Sequence, residues 1–396
     1  MTAHWIRRHP LLVIVVAQLF GTSLWFSING VGLSLQQALG WSPAEIGWLT
    51  MATQTGFITG TLVVAATGMA DRFRASRMFA LSALAGAAVN AVFILLAGAW
   101  ELALLARFLV GLALAGVYPL GMKLVIAWTP EYKGWALSWL LGMLTLGTAL
   151  PHLLRGATLD FPWAVPVLLA SGLAVLAAGL ILRLGEGPHL PPAGRTPGLG
   201  KGFRALRQRD FRAVAGGYFG HCWELYAFWT LVPLLVAREL SRLEADTGLI
   251  PWLAFGVIAL GLAGCVWGGR LSRSLGSLRV ARVALAASGL ACLLYPLLAG
   301  QSPWLLFALL ALWGLTVIAD SPQFSALAAD SAPADAVGSA LSVMNAIGFA
   351  LTLPGIWLTG WLWADGGVWV LWLLLPGPLL GLWALARLSP PRAGLA

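Results

Sequence analysis

Apolar runs of eighteen or more residues recur along the whole 396-residue chain, broken by short polar punctuation. Each is long enough to cross a bilayer, because a hydrocarbon core of ~30 Å takes roughly 20 helical residues. The pattern predicts twelve spans, at 11–35, 46–70, 78–98, 102–127, 134–155, 163–183, 211–236, 248–269, 280–299, 303–327, 337–361 and 367–388. The alternating segments of ~10 residues that mark a membrane β-barrel are absent. Ser42-Pro43-Ala44-Glu45 reads as a capping box with proline at the first helical position, and it starts span two. The longest connection, 185–210, is rich in Pro and Gly and then basic at Lys201, Arg204, Arg207 and Arg209. It divides the chain into six spans in 1–184 and six in 211–396. The expected fold is an all-α polytopic membrane protein.

The two halves repeat each other. Gly134-Trp135-Ala136-Leu137-Ser138 opens span five and Gly338-Ser339-Ala340-Leu341-Ser342 opens span eleven; each span then reaches a proline, Pro151 or Pro354. Tyr118-Pro119 in span four matches Ser321-Pro322 in span ten, and Phe20-Gly21 in span one matches Phe219-Gly220 in span seven. All share an offset of about 200 residues, joining span n to span n+6. With an even number of spans per unit, the copies lie parallel in the membrane. Such repeats house a midplane site at their interface.

Composition agrees. The chain is 59% hydrophobic and 10% charged, with mean hydropathy +0.85. Soluble domains carry about 25% charged residues. The net charge of +9 would suit a nucleic-acid partner, but the basic residues sit at the ends of apolar runs, which excludes one. Placing both termini in the cytoplasm puts Arg7, Arg8, Arg72, Arg74, Arg77, Lys133, Arg183, the central connection, Arg270, Arg273, Arg279, Arg282, Arg387 and Arg392 inside. Only Arg155, Arg238 and Arg242 then fall outside, as the positive-inside rule requires. The expected location is the cytoplasmic membrane. Trp5, Trp41, Trp100, Trp128, Trp163, Trp252 and Trp304 lie near span ends, like an aromatic belt. Cys222, Cys265 and Cys292 sit in apolar runs with no disulfide or zinc spacing and read as packing residues. The first apolar run, preceded by Arg7 and Arg8, is too long for a signal peptide and reads as a retained span.

The loop after span two reads Thr67-Gly68-Met69-Ala70-Asp71-Arg72-Phe73-Arg74-Ala75-Ser76-Arg77. It resembles the signature of the major facilitator superfamily, Gly-x-x-x-Asp-Arg-x-Gly-Arg-Arg/Lys. The Asp-Arg pair matches and Arg77 follows one place late, while Thr67 and Arg74 stand at the glycine positions. The loop after span eight keeps both glycines, Gly269 and Gly276, but has Arg273 where the acid belongs. Arg107, Gly111 and Gly116 are similar to the family's span-four motif, and Gly142, Gly147 and Pro151 to its span-five motif. The resemblance covers nearly the whole chain. It implies that spans one, four, seven and ten line a central cavity and that Asp71 and Arg72 act as a gate; a solvated turn is the plainer reading of that pair.

Polar residues fall on matching helix faces. Gln18, Trp25 and Asn29 share one face of span one. Arg107 and Tyr118 lie within ~20° on span four. His221 and Glu224 are one turn apart on span seven, and Trp313, Thr316, Asp320 and Gln323 form a stripe on span ten. Gln54, Asn90 and Asn345 are the other deep polar side chains. Glu224 lies ~20 Å into its span, near the midplane, where a carboxylate is costly unless paired, protonated or wet. It reads as the proton site, with His221 and Asp320 as partners, or as a structural acid paired with a base. Arg107 reads as a cavity cation or as a span-end anchor. Lys123 reads as a snorkelling residue. The Phe-Gly match aligns Glu224 with Trp25, which would give one cavity an aromatic wall and a titratable site.

These features predict a secondary transporter that moves a small organic solute by alternating access, coupled to protons, as a monomer without a cofactor or metal. Arg107, Tyr118, Gln18, Trp25, Asn29, Gln54, Trp313 and Asn345 are its expected solute contacts. A small-anion permease using Arg107 is the second reading, and a membrane enzyme or sensor the third. No nucleotide-binding glycine loop is present, and the His-Glu spacing of span seven has no third metal ligand.

Overall fold

The computed structural model describes residues 3–189, 199–333 and 336–388, which contain helices and no strand. Among them, nine stretches are long and apolar enough to cross a membrane. One of these, Val337–Ala386, contains two crossings: helix Val337–Gly366 ends at Gly367, whose φ of 50° turns the chain. Span one is broken into Pro10–Thr22, Ser27–Gly30 and Gly32–Leu39, so no single piece reaches span length. Span seven, Arg209–Arg242, is a 34-residue helix that carries polar and charged residues at both ends. The helices thus follow the expected twelve-span order. Large side chains such as Leu95, Trp304 and Leu81 are 83%, 69% and 68% exposed, surfaces that only lipid solvates at low cost.

Local sequence sets several boundaries. Ser42 Oγ accepts from the Glu45 amide, and the Glu45 carboxylate accepts from the Ser42 amide at 2.6 Å, so helix Pro43–Thr67 begins at the predicted box. That helix stops at Gly68 and helix Ile250–Leu275 stops at Gly276, with φ of 65° and 80°; glycine tolerates this region because it lacks Cβ. Span one breaks where Thr22 Oγ1 bonds back to Gln18 O and Ser23 Oγ to Phe20 O, competing with the helical ladder. Span four breaks between Trp100–Leu114 and Tyr118–Trp128, and span ten between Pro303–Thr316 and Ser321–Ser331. Pro119 and Pro322 stand just after these breaks and have no N–H to give the carbonyl four residues back. In span ten the freed carbonyl of Ile318 lies 3.7 Å from the Cys265 thiol. Cys292 similarly donates to Leu371 O, so these cysteines satisfy backbone as well as pack.

Helix pairing repeats at an interval of six. Span one packs on five and six, and span seven on eleven and twelve. Span four packs on two and three, and span ten on eight and nine; span three meets six as nine meets twelve. The two halves join through spans two and eleven and through spans five and eight, which are one contact and its repeat-related copy. The described start of span one, the flanks of the central connection and the described end of span twelve lie at one end of the bundle, here called the termini end.

Close approach uses glycine. A Cβ on Gly111 would strike the Thr53 carbonyl and one on Gly56 the Phe108 carbonyl, so spans two and four touch backbone to backbone. Gly111→Val is therefore expected to separate the two spans at a cost of about 1–3 kcal/mol. It should lower the melting temperature of the detergent-solubilised protein, whereas Gly172→Val, with open space around it, should not.

Candidate functional site

Where the two halves meet, an aromatic box closes around Trp25. Its indole stacks on Phe349 at 6.0 Å and packs against Phe57 at 4.6 Å and Tyr226 at 5.8 Å. Phe57 also meets Phe349 across the halves at 4.7 Å, and Tyr118 stacks on Phe57 at 6.5 Å. Phe26 and Trp229 extend the box, edge to face at 6.0 Å. Spans one, two and four supply one side and spans seven and eleven the other. The break in span one places Trp25 here, because residues 23–26 leave the helical path.

The polar groups of the box are neutral. Trp25 Nε1 donates to Gln54 Oε1 at 2.8 Å, and Gln54 Nε2 donates to Thr352 Oγ1 at 3.3 Å. That chain crosses from one half to the other. Asn29 lies one turn beyond Trp25 and donates to Thr50 Oγ1 at 2.9 Å. Tyr118 and Asn345 are half-buried, Asn345 one turn from Phe349 towards the termini end. Gln18, two turns nearer the termini end, lies against Gly121 of span four; its amide is buried with no partner on either atom.

Arg107 does not join the box. It is 1% exposed, and its five N–H groups are all used within the first half. Nε donates to Thr53 Oγ1, Nη1 to Ser27 Oγ and Asn90 Oδ1, and Nη2 to the carbonyls of Leu24 and Trp25, at 2.8–3.1 Å. The two carbonyls belong to the break in span one. Asn90 is held in turn by Ser171 Oγ and Val167 O.

Glu224 also turns away from the box. It is two residues from Tyr226, ~160° around the helix, so it faces spans nine and ten. Oε1 accepts from Trp313 Nε1 at 2.6 Å and Oε2 from Ser288 Oγ at 3.0 Å, and no cation is among these partners. Trp313 stacks on Phe228 at 4.4 Å. One turn away, His221 Nδ1 lies 2.8 Å from Asp320 Oδ1, without hydrogen-bond alignment. Glu224–Trp313 thus ties span seven to span ten on one side of its break and His221–Asp320 on the other. The expected union of Trp25 and Glu224 in one cavity is corrected here: span seven separates them. Asp71 falls outside the described side chains; Arg72 is exposed at the end of helix Met69–Arg72.

Sequence reasoning missed Phe57, Phe349, Tyr226 and Trp229. Their signal is spacing: Phe57 and Phe349 each stand three residues from Gln54 or Thr352, on the faces that join the halves. It also missed Glu239, which is fully buried, pairs with Arg238, and accepts from Arg242 Nη1 at 2.6 Å and Tyr295 Oη at 2.9 Å. Those arginines, placed outside as loop charges, also hold the carbonyls of Ala299 and Gln301. Glu186 was not foreseen either; its carboxylate accepts from the Ser76 amide and hydroxyl at 2.8 and 2.6 Å and caps span three.

The chain belongs to the Major Facilitator Superfamily, whose model matches residues 13–356. A curated relative, the niacin transporter NiaP of Acinetobacter baylyi, is 30% identical over 166 residues, 39% of this chain and 35% of that protein. The match therefore spans about a third of that relative's length. Among solved structures, a bacterial homolog to the human lysosomal transporter Spinster, inward-facing and unoccupied, superposes with a TM-score of 0.70. It is 16% identical, over 97% of this chain and 95% of that one. The occupied inward-facing form gives 0.68 at 16% identity, over 96% and 94%. At these identities the likeness is one of fold. The protein is a multi-pass membrane protein of that family.

Proposed function

We propose that the protein is a secondary active transporter that binds a small organic solute in the aromatic box and moves it by alternating access, coupled to protons through Glu224. The observation that carries the reading is the box itself. Seven aromatic side chains from both halves, Trp25 included, make up the box with only neutral polar groups among them, and rocking of one half against the other would open it. In this reading 1–184 and 211–396 are the two moving units and 185–210 joins them. The termini end faces the cytoplasm, in the cytoplasmic membrane, with Asp71 and Arg72 in the gating loop. One chain supplies every wall of the box, so a monomer suffices.

An organic solute fits better than a small oxyanion, because Arg107 has no donor left for an anion. The relative named as a niacin transporter is named for a small organic solute. Glu224 supports proton coupling because its carboxyl is wholly buried and held by neutral donors, which serve a protonated or an ionised acid. Its bond to Trp313 and the neighbouring His221–Asp320 contact fix how span seven sits on span ten. Span seven carries Tyr226 and Trp229 on its other face, so a change of charge at Glu224 reaches the box through one rigid helix.

The site is tested with Trp25→Phe. This variant keeps a ring but frees both Gln54 and, through it, the contact to Thr352. For any solute that stabilises the wild type against heat, its dissociation constant should rise about tenfold, the equivalent of one ~1.4 kcal/mol interaction. Unchanged affinity would place the solute elsewhere.

A further inference from the structure

Three tryptophans are wholly buried: Trp25, Trp229 and Trp313. The indole N–H of Trp25 is given to Gln54 and that of Trp313 to Glu224. The Nε1 of Trp229 is buried with no acceptor, although its ring is part of the box. A buried indole normally finds a partner. The group is donor-only, so another donor cannot serve it.

The surroundings hold this N–H in place without using it. Phe26 and Tyr226 meet the Trp229 ring at 87° and 69°, with centroids 6.0 and 5.1 Å away, and fix its plane from two sides. The amide of Gln54 is engaged at both ends. The hydroxyl of Thr352, which accepts from Gln54, donates to Phe349 O at 2.7 Å. The box therefore offers flat apolar walls and, at Trp229, an idle indole donor, with the Trp25–Gln54–Thr352 chain already closed on itself.

We propose that Trp229 Nε1–H is the specificity-determining donor of the box, and that the solute is a small planar aromatic molecule bearing a hydrogen-bond acceptor on its rim, such as a carboxylate or carbonyl oxygen. The walls select the ring by stacking and edge contacts; the donor selects its substituent. A site built around such a donor rejects analogues that lack the acceptor, since the N–H is then left unpaired. This inference rests on the reading of the box as the solute site.

The experiment uses the purified full chain in lipid nanodiscs and three ring-matched probes. Benzamide and benzoate carry acceptors; benzylamine, protonated at neutral pH, carries donors only. Wild type should bind the first two more tightly than the third. Trp229→Phe, which keeps a ring, should weaken benzamide and benzoate about tenfold, as the loss of one hydrogen bond in a buried site. It should leave benzylamine unchanged. In wild-type protein labelled with ¹⁵N-tryptophan, benzamide should shift one indole N–H resonance that benzylamine does not, a readout independent of whether the variant folds. Equal loss for all three probes, or no loss and no selective shift, overturns the role of Trp229. If no probe binds, or if Trp25→Phe leaves binding untouched, the box itself is not the site and both readings fall.

Discussion

Glu224→Gln is expected to abolish solute accumulation driven by a pH gradient in proteoliposomes, while exchange of labelled for unlabelled solute continues. Glutamine has the shape of the acid. Its carbonyl oxygen can keep the Trp313 N–H, and the Ser288 hydroxyl can turn to accept from the new amide. Packing of span seven on nine and ten should therefore survive, and with it the box on the opposite face. What is lost is the capacity to take up and release a proton at the midplane, where an ionised side chain costs about 2.5–3.5 kcal/mol on insertion scales. Coupling fails but the conformational cycle with solute bound does not. Asp320→Asn separates the two acids of the region: its partner is His221, so it should disturb the lower tie between spans seven and ten without removing the Glu224 proton. Full gradient-driven uptake in Glu224→Gln would end the proposal, and uncoupling in Asp320→Asn alone would move the proton to that residue.

The bundle itself is legible in the sequence because lipid imposes simple rules. Length, charge at span ends and the repeat suffice to order the spans, and Ser42 with Glu45 marks a start to the residue. The repeat even anticipates the contacts, since spans two with eleven and five with eight are copies of one interface. The site is less legible. Helical spacing places Gln18, Trp25 and Asn29 on one face, but the break at 23–26 re-aims them, and only backbone geometry shows that. Likewise the match of Trp25 with Glu224 is a match of depth. It carries no information about which side of span seven the acid takes, and the two-residue offset from Tyr226 sends it to the far side. Aromatic residues of the box are unremarkable in a chain with 21 tryptophans and 16 phenylalanines, so composition hides them.

Arg107→Leu is expected to destabilise the protein by about 3–5 kcal/mol, the usual penalty for removing one member of a buried charged network. Five hydrogen bonds are lost at once. Two of the acceptors are the carbonyls of Leu24 and Trp25 at the break in span one; Leu24 O keeps the Ser27 amide and hydroxyl, so the carbonyl left short is that of Trp25, and an unsatisfied buried carbonyl costs about 1–3 kcal/mol. The guanidinium serves all five because its donors are spread in a rigid plane. Lysine retains the charge but has three donors on one atom, so Arg107→Lys should recover little of the lost melting temperature. This pattern separates bracing from solute binding. A cavity cation could be exchanged for leucine with little effect on the melting temperature of the solute-free protein, and lysine would preserve part of its affinity. A brace gives the reverse: a lower melting temperature without solute in both variants, and loss of the Trp25 contacts as the span-one break relaxes. Thermal unfolding of the solute-free variants decides between them, and a melting temperature unchanged in Arg107→Leu would return Arg107 to the solute site. If Arg107 is a brace, it and Glu224, both buried, have complementary tasks. One, on span four, holds a broken helix so that an aromatic wall stands at the junction of the halves. The other, on span seven, ties that helix to the break in span ten and gives the wall's partner something that can change.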